Sequence, residues 1–292
     1  MTEQRHADAV GLDTRPRLDA AAVLANGQVA AAQAVLHALP QICAGAAAMA
    51  GSIRADKTLY YAAAGSSGLM AAADALELGG TFSIPPSQIR ILMAGGMPTG
   101  AEMPGDTEDA TDGLADALAG AGRGDTMIAV SASGNTAYTL AAVDIARAAG
   151  ACVIGIANND GADLLAKADH AILLPTPPEV LSGSTRMGAG TAQKIALNML
   201  STLMAIELGH VHDGMMVNVR ADNAKLRARA AGIVAAAAGV GEDVAQAALV
   251  RADGHVKTAV LLANGVADTE TATALLMETG GHLRPALSQS TQ

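Results

Sequence analysis

The fold is decided by the stretch TLYYAAAGSSGLMAAADALE, residues 58–77. It opens with apolar, β-branched and aromatic side chains, which are typical of a buried strand. Glycine and serine then lead into an alanine-rich run that predicts a helix. A strand that passes directly into a helix begins a β-α unit, in which the helix returns the chain to a parallel neighbouring strand. The stretch therefore predicts an α/β fold.

Four further apolar runs also predict strands, and stretches that predict helices lie between them. With Thr58–Ala64, the predicted strands are Ile89–Ala94, Met127–Ser131, Cys152–Ala157 and Ala171–Leu174. The alternation indicates a parallel five-stranded sheet flanked by helices on both faces. Met187–Leu208 predicts a long helix that closes this domain.

The two ends of the chain are helical in pattern. Residues 20–50 are rich in alanine and predict helices, whereas Ala224–Ala238, Glu242–Ala252 and Thr269–Thr279 predict three helices joined at glycines. We expect an N-terminal helical segment over residues 1–50, the α/β domain over 51–215 and a small helical domain over 216–292.

Composition and charge exclude several classes of protein. The 292 residues are 51% hydrophobic but only 1% aromatic, so the core consists of small aliphatic side chains and no aromatic platform can stack on bases. The 18 Lys and Arg against 28 Asp and Glu leave a formal charge of −10, which argues against nucleic acid and anionic membranes as partners.

Cysteine usage and the first residues indicate a cytoplasmic protein. Cys43 and Cys152 stand alone, so neither a disulfide framework nor a cysteine metal site is expected. Met1–Arg17 is polar and mixed in charge, unlike a secretory signal, and no uninterrupted apolar run reaches about 18 residues. We expect no membrane partner.

Two of the predicted strands end in glycine and hydroxyl residues, at the edge of the sheet where ligands bind. Small hydroxyls, free backbone amides and the positive end of a helix together suit a phosphate monoester. A turn with serine as N-cap explains one such loop, but two in one sheet favour phosphate. The candidate ligands are Ser66, Ser67, Ser131, Ser133, Asn135 and Thr136.

A third segment, Ser182–Arg186, repeats the pattern and adds Ser184 and Arg186 to a possible oxyanion rim at the next helix start. None of these loops contains the GxxxxGK[ST] or GxGxxG pattern, which disfavours nucleotides. No GxSxG elbow is present either, so a serine hydrolase is not supported.

Two pairs of acids are candidate catalytic groups. Asp74 and Glu77 share one face of the helix after the first loop. Because apolar surroundings raise the pKa of a carboxyl group, Glu77 is a candidate general acid, the alternative being a solvated outer face. Thr107 is a candidate N-cap before Glu108 and Asp109, which could compensate the helix dipole or supply a base.

His210, His212 and Asp213 invite a metal interpretation, but a pair of histidines two residues apart with no third ligand is weak. An interaction with the C-terminal dipole of a helix, or a contact between subunits, explains them better. No metal is expected.

With these loops and acids the chain resembles the N-acetylmuramic acid 6-phosphate etherases, a branch of the sugar isomerase (SIS) domain proteins. The serine loops mark any SIS domain, and the stretch 185–202 marks this branch. The matching motifs are TEQR (2–5) with GLD (11–13), GSSG (65–68) with Asp74 and Glu77, ED (108–109), SASGNT (131–136), GSTRM (183–187), AGTAQK (189–194), NMLST (198–202) and NAKL (223–226).

The resemblance implies an SIS-type fold and a reaction of cell-wall sugar recycling. The D-lactyl ether of N-acetylmuramic acid 6-phosphate is cleaved by elimination and water addition, giving N-acetylglucosamine 6-phosphate and D-lactate without metal or organic cofactor. By the same resemblance Glu77 is the acid and Glu108 the base. The phosphate is held by Ser67, Ser131, Ser133 and Thr136.

The chain departs from the family pattern at four positions. Leu69 replaces an arginine, Gly79 and Gly80 replace two prolines, and Gly188 replaces a lysine. Two lost cations predict a weaker grip on a carboxylate such as lactate, or a different sugar phosphate. An aldose-ketose isomerase and a non-catalytic sugar-phosphate regulator therefore remain alternatives.

The position of Glu77 predicts a homodimer with shared active sites. Glu77 lies nine positions beyond Gly68, roughly 13 Å along a helix at about 1.5 Å per residue. That span is long for the phosphate and C2 of one sugar. We therefore expect Glu77 to serve the pocket of the partner subunit.

Overall fold

Five parallel strands form one sheet in the order β2-β1-β3-β4-β5. The strands are β1 (Leu59–Ala63), β2 (Ile89–Met93), β3 (Thr126–Ser131), β4 (Cys152–Ala157) and β5 (His170–Leu173). Each begins and ends within one residue of its predicted bounds. Ala63 pairs with Met93 on one side and Val130 on the other, so β1 and β3 end side by side. The predicted α/β class and sheet are confirmed.

The structure, a computed structural model, describes residues 4–103, 107–219 and 224–290. Thr2, Glu3 and Asn223 of the family motifs lie outside these ranges. The chain divides into two compact units, one of Met1–Leu76 and Pro86–Ser201, the other of Glu77–Pro85 and Thr202–Gln292. The three-segment division predicted from the sequence remains a proposal.

Helices cover both faces of the sheet in the first unit. Helix α2 (Leu39–Arg54) packs against β1, β3 and β5, and helix α5 (Ala137–Ala148) against β1, β3 and β4. The helices that begin in this unit are α1 (Arg17–Ala34), α2 (Leu39–Arg54), α3 (Gly65–Phe82), α4 (Leu114–Ala117), α5 (Ala137–Ala148), α6 (Asp163–Lys167) and α7 (Gly188–Glu207).

Burial on both faces explains the near-continuous apolar strands. Every residue of β1 and β3 is buried, as expected for a parallel sheet between two helical layers. Small residues let these layers approach: a Cβ on Gly45 of α2 would lie 3.0 Å from Leu200 Cδ2 and 3.2 Å from Ile154 Cδ1. The small side chains of this alanine-rich chain thus allow the helices and the sheet to pack closely.

The second unit contains a hairpin and helices around a core of their own. Strands β6 (Val211–His212) and β7 (Met215–Met216) pair antiparallel. Asp213 and Gly214 turn the chain between them with φ of +47° and +75°, a geometry that suits a two-residue hairpin. The helices are α8 (Ala224–Ala238), α9 (Glu242–Arg251), α10 (Val256–Ala263), α11 (Thr269–Glu278) and α12 (Leu283–Ser290).

The expectation of three helices was wrong, because α10 and α12 were missed. Helix α10 has only eight residues, five of them buried, and so short an apolar run cannot be told from a buried strand by its pattern alone. Pro285 lies at the third position of α12, where proline is tolerated but reads as a breaker in sequence.

Among the described residues, the helical stretch Arg17–Arg54 is long and apolar enough to cross a membrane by length and composition. The bent pair Leu226–Ala238 and Glu242–Arg251 would pass the same test if it were one span. A core helix of a soluble protein passes it as well. The absence of a membrane partner therefore stays a prediction.

Candidate active site

Three hydroxyl groups converge where β3 ends. Ser131 is buried, and its Oγ accepts a hydrogen bond from the Gly134 N–H at 3.0 Å. The same Oγ lies 2.8 Å from Thr136 Oγ1 and 3.3 Å from Ser133 Oγ. Predicted ligands Ser131, Ser133 and Thr136 are thus brought together as one cluster.

The backbone of this loop is fixed by its neighbours. Gly134 has a φ of +75°, and a Cβ there would lie 2.3 Å from the Cβ of Ala162, so only glycine fits. The Gly134 carbonyl accepts the Leu164 N–H at 3.0 Å, and Asn135 Oδ1 accepts the Asp163 N–H at 3.1 Å. Asn135 therefore connects the loop to the start of α6 by a hydrogen bond.

The start of α5 is not capped by a side chain. Thr136 occupies the N-cap position with extended backbone but makes no side-chain capping bond, because its hydroxyl faces Ser131. The alternative interpretation of this loop as a turn with serine as the N-cap is therefore wrong, because Thr136 occupies that position. The positive end of α5 and the hydroxyl cluster lie at the same place, which suits an anion.

The first serine loop stands beside this cluster. Helix α3 begins at Gly65 directly after β1, and the Gly68 N–H donates to the Ala64 carbonyl at 2.9 Å. Ser67 is buried and Ser66 half-buried in this first turn. Because β1 and β3 are neighbours, both loops leave the same edge of the sheet.

Glu108 reaches both loops. Its Oε1 lies 2.8 Å from the position that a Cβ on Gly65 would take, so the carboxylate rests against the first loop. Its backbone carbonyl accepts the Tyr138 N–H at 2.9 Å, in the first turn of α5. The side chain is exposed. An accessible carboxylate therefore stands at the junction of the two candidate phosphate loops.

The predicted N-cap at Thr107 was wrong. Residues 107–109 form a turn, and α4 begins only at Leu114, after Gly113 with a φ of +79°. A left-handed residue before the helix separates Glu108 and Asp109 from its first turn. Compensation of that helix dipole thus does not explain Glu108.

Asp74 and Glu77 differ although they share a helix. Asp74 is 4% exposed; its Oδ1 accepts hydrogen bonds from Asn198 Nδ2 and Ser201 Oγ, both at 2.8 Å, and its Oδ2 accepts from the Tyr61 hydroxyl at 3.1 Å. Burial, and then the Asp74 charge, raise the pKa of Tyr61 well above its ordinary value. Asp74 thus ties α3 to β1 and α7.

Glu77 is exposed and belongs to the second unit, so it is not among the residues that the first unit brings together. Although the i, i+3 spacing puts Glu77 on the same side of α3 as Asp74, the Glu77 side chain is exposed, so the apolar surroundings expected for its carboxyl group are absent. The prediction of a buried acid on this face describes Asp74 instead.

The third segment ends in a cap that the sequence did not reveal. Arg186 is exposed and Ser184 half-buried, two to four residues before α7 begins at Gly188. The N–H groups of Gly188 and Ala189 donate to Glu179 Oε2 and Oε1, both at 2.8 Å. These two amides are therefore occupied by a protein carboxylate, and the oxyanion rim expected from Ser184 and Arg186 stays a prediction.

The four departures from the family pattern have different surroundings. Leu69 is 37% exposed. A Cβ on Gly80 meets no atom within 4 Å, and one on Gly79 meets only the Ile84 carbonyl at 3.6 Å. At Gly188, by contrast, a Cβ would lie 3.0 Å from Glu179 Oε2. Only Gly188 is sterically constrained.

The histidine segment lies in the second unit. Burial lowers the pKa of His210 to about 4, with smaller contributions from the charges of Lys257 and His282. Lys257 Nζ donates to the carbonyls of Gly209 at 3.2 Å and Gly281 at 3.0 Å, so this lysine contacts the end of α7. No group of His, Cys, Asp or Glu among the described residues could hold a metal.

Comparison with known proteins gives both a family and a fold. The SIS domain model matches residues 99–208. N-acetylmuramic acid 6-phosphate etherase of Streptomyces avermitilis is 43% identical over 98% of this chain and 93% of that protein. The enzyme of the same name from Deinococcus radiodurans is 44% identical over 99% and 95%.

A solved structure shows the same fold at low identity. A Bacteroides fragilis protein, described as a candidate phosphosugar isomerase involved in capsule formation, superimposes with a TM-score of 0.54. It shares 18% identity and covers 68% of this chain and 95% of its own.

Proposed function

The chain belongs to the N-acetylmuramic acid 6-phosphate etherase family, and we propose how its residues carry out that reaction. It is a carbon–oxygen lyase that acts on an amino sugar phosphate, releasing D-lactate and N-acetylglucosamine 6-phosphate. The observation that carries the proposal is the position of the Glu108 carboxylate beside Gly65, between two serine loops.

The phosphate lies at the end of β3 in this proposal. The Ser131 hydroxyl lies 2.8 Å from that of Thr136 and 3.3 Å from that of Ser133, and the three offer hydroxyl donors at the start of α5, which has no side-chain cap. Ser66 and Ser67 complete the cradle from the neighbouring loop. In a chain of charge −10, such local hydroxyls and amides can still bind a dianion.

Glu108 removes the C2 proton. That proton is acidic in the open-chain sugar, because the carbanion formed at C2 is stabilised by the C1 aldehyde. The electron pair forms the C2–C3 double bond as the C3–O bond breaks, and the lactyl oxygen takes a proton from a general acid. Water then adds at C3 and a proton returns to C2, so the ether is hydrolysed overall.

Glu77 is the proposed general acid, acting in the pocket of a partner subunit. Its exposure and its distance along α3 from the first loop support a role in trans. We accordingly propose a homodimer with shared sites, located in the cytoplasm.

Incubation with N-acetylmuramic acid 6-phosphate, followed by an assay for D-lactate, tests the function. We expect lactate in equimolar amount with N-acetylglucosamine 6-phosphate, loss of turnover in Ser131→Ala, and wild-type turnover in Ser87→Ala, a control at an exposed serine. A ketose product without lactate would favour an isomerase. A shift in melting temperature with sugar phosphates but no product would favour a regulator.

A further inference from the structure

Glu179 is a buried carboxylate that no step of the proposed reaction uses. It is 4% exposed, and each of its oxygens accepts one N–H at the start of the 20-residue helix α7. Such charge-assisted bonds to a positive helix end are among the stronger hydrogen bonds in proteins. The place at which a helix start would receive a ligand anion is already filled from within the chain.

The Glu179 hydrogen bonds join the two ends of the segment that carries Ser184 and Arg186, which we call the 180–187 loop. Inside it, the Ser184 N–H donates to the Leu181 carbonyl at 2.9 Å and the Met187 N–H to the Ser184 carbonyl at 3.1 Å. These bonds hold part of the loop backbone in place, and the Arg186 side chain is exposed.

The loop is also pressed against α1. Val180 is buried, and a Cβ on Gly27 would lie 2.7 Å from Val180 Cγ2. A Cβ on Gly188 would lie 3.0 Å from Glu179 Oε2 and 3.3 Å from the Cβ of Ala31. Any side chain at position 188 must therefore displace the Glu179 carboxylate or α1 by a few tenths of an ångström.

We propose that Glu179 is a positioning residue that holds the 180–187 loop so that Arg186 and Ser184 receive the lactyl carboxylate of the substrate. The inference rests on the proposed function. The substrate carries two anions: the phosphate is assigned to the hydroxyl cluster at β3, and the start of α7 cannot take the second, because Glu179 occupies it. The guanidinium of Arg186, exposed in the loop that Glu179 holds, is suited to pair with the carboxylate as the second anion.

The proposal is tested by Glu179→Gln, which keeps the size of the side chain but turns an amide donor toward one helix N–H. Because loosening the loop weakens ground state and transition state alike, KM for N-acetylmuramic acid 6-phosphate should rise about tenfold while kcat changes little. Calorimetric affinity for N-acetylglucosamine 6-phosphate, which has no lactyl group, should stay at the wild-type value.

Gly188→Ala pushes on the same carboxylate from the other side and should give the same selective rise in KM. Gly51→Ala is the matched control, since Gly51 is also helical but has no atom within 4 Å of its Cβ position. An unchanged KM in both test variants would overturn the proposal, as would equal weakening of substrate and product binding. If the wild-type protein releases no lactate, it is the etherase function that fails instead.

Discussion

The Glu108 carboxylate and the backbone of Gly65 share one space: Oε1 of Glu108 lies 2.8 Å from where a Cβ on Gly65 would stand. Gly65 also has a φ of +54°, in the left-handed region. The glycine therefore turns the chain from β1 into α3 and leaves room for the proposed base. Both roles require the absence of a side chain.

Gly65→Ala should displace the Glu108 carboxylate. We expect kcat to fall by about 100-fold, the scale of a 1 Å misplacement of a catalytic group. Left-handed strain should lower the free energy of unfolding by about 1–2 kcal/mol. Gly239→Ala is the control, because its φ is +67° and its Cβ position has no atom within 4 Å. Equal losses of kcat in the two variants would show that strain, not Glu108, is responsible.

Glu108→Gln and Glu77→Gln should each reduce lactate release by about 1,000-fold, since each removes one proton-transfer group. Binding of N-acetylglucosamine 6-phosphate, measured by calorimetry, should be largely intact, because the phosphate cradle is unchanged. Asp116→Asn, at an exposed carboxylate on α4, serves as the control. Turnover at the wild-type rate in either test variant removes that residue from the mechanism.

Subunit mixing tests the shared site. An inactive Glu77→Gln chain and an inactive Ser133→Ala chain should recover part of the wild-type activity when they are combined in one dimer, because one pocket then contains both intact groups. Lactate release is measured on isolated heterodimers. No recovery in verified heterodimers would place Glu77 in the pocket of its own chain or outside the site.

Asp74→Ala should destabilise the first unit by about 3–5 kcal/mol, because the Tyr61, Asn198 and Ser201 donors all lose a buried charged acceptor. Tyr61→Phe removes only one of these bonds and should cost about 1 kcal/mol. Urea unfolding at pH 7 measures both changes. If Asp74→Ala retains wild-type stability, the network does not hold α3 in place.

Stability should fall as the pH is lowered from 6.5 to about 4, because of His210. Burial, with Lys257 and His282 nearby, lowers its pKa to about 4 in the folded protein. In that window the unfolded chain binds a proton that the folded chain does not, so unfolding is favoured at the acid end. The contribution is on the order of 3 kcal/mol.

A titration of unfolding free energy against pH checks this. His210→Gln should flatten the curve between those two pH values, whereas His37→Gln, at an exposed position, should not. Parallel curves for wild type and His210→Gln would contradict the assignment.

Individual residues show which features of the site can be predicted from sequence patterns and which cannot. Ser131 and Thr136 could be predicted as neighbours because they follow one strand within a few positions. Glu179 could not, because it caps a helix nine residues away through a loop with no recognised capping pattern. The N-cap predicted at Thr107 was wrong, because α4 begins only after a glycine in the left-handed conformation. The pattern of apolar and polar residues does not reveal such a backbone conformation.

The sequence by itself determined the five strands, the two serine loops and the motifs that identify the family, because apolar runs and the composition of short loops are local properties. Only the tertiary structure decided which acid is buried. Asp74 and Glu77 are three residues apart on one helix, yet Asp74 meets Asn198 and Ser201, 124 and 127 positions along the chain, while Glu77 faces solvent. Burial and hydrogen-bond partners depend on which distant elements pack together, and local spacing does not encode that.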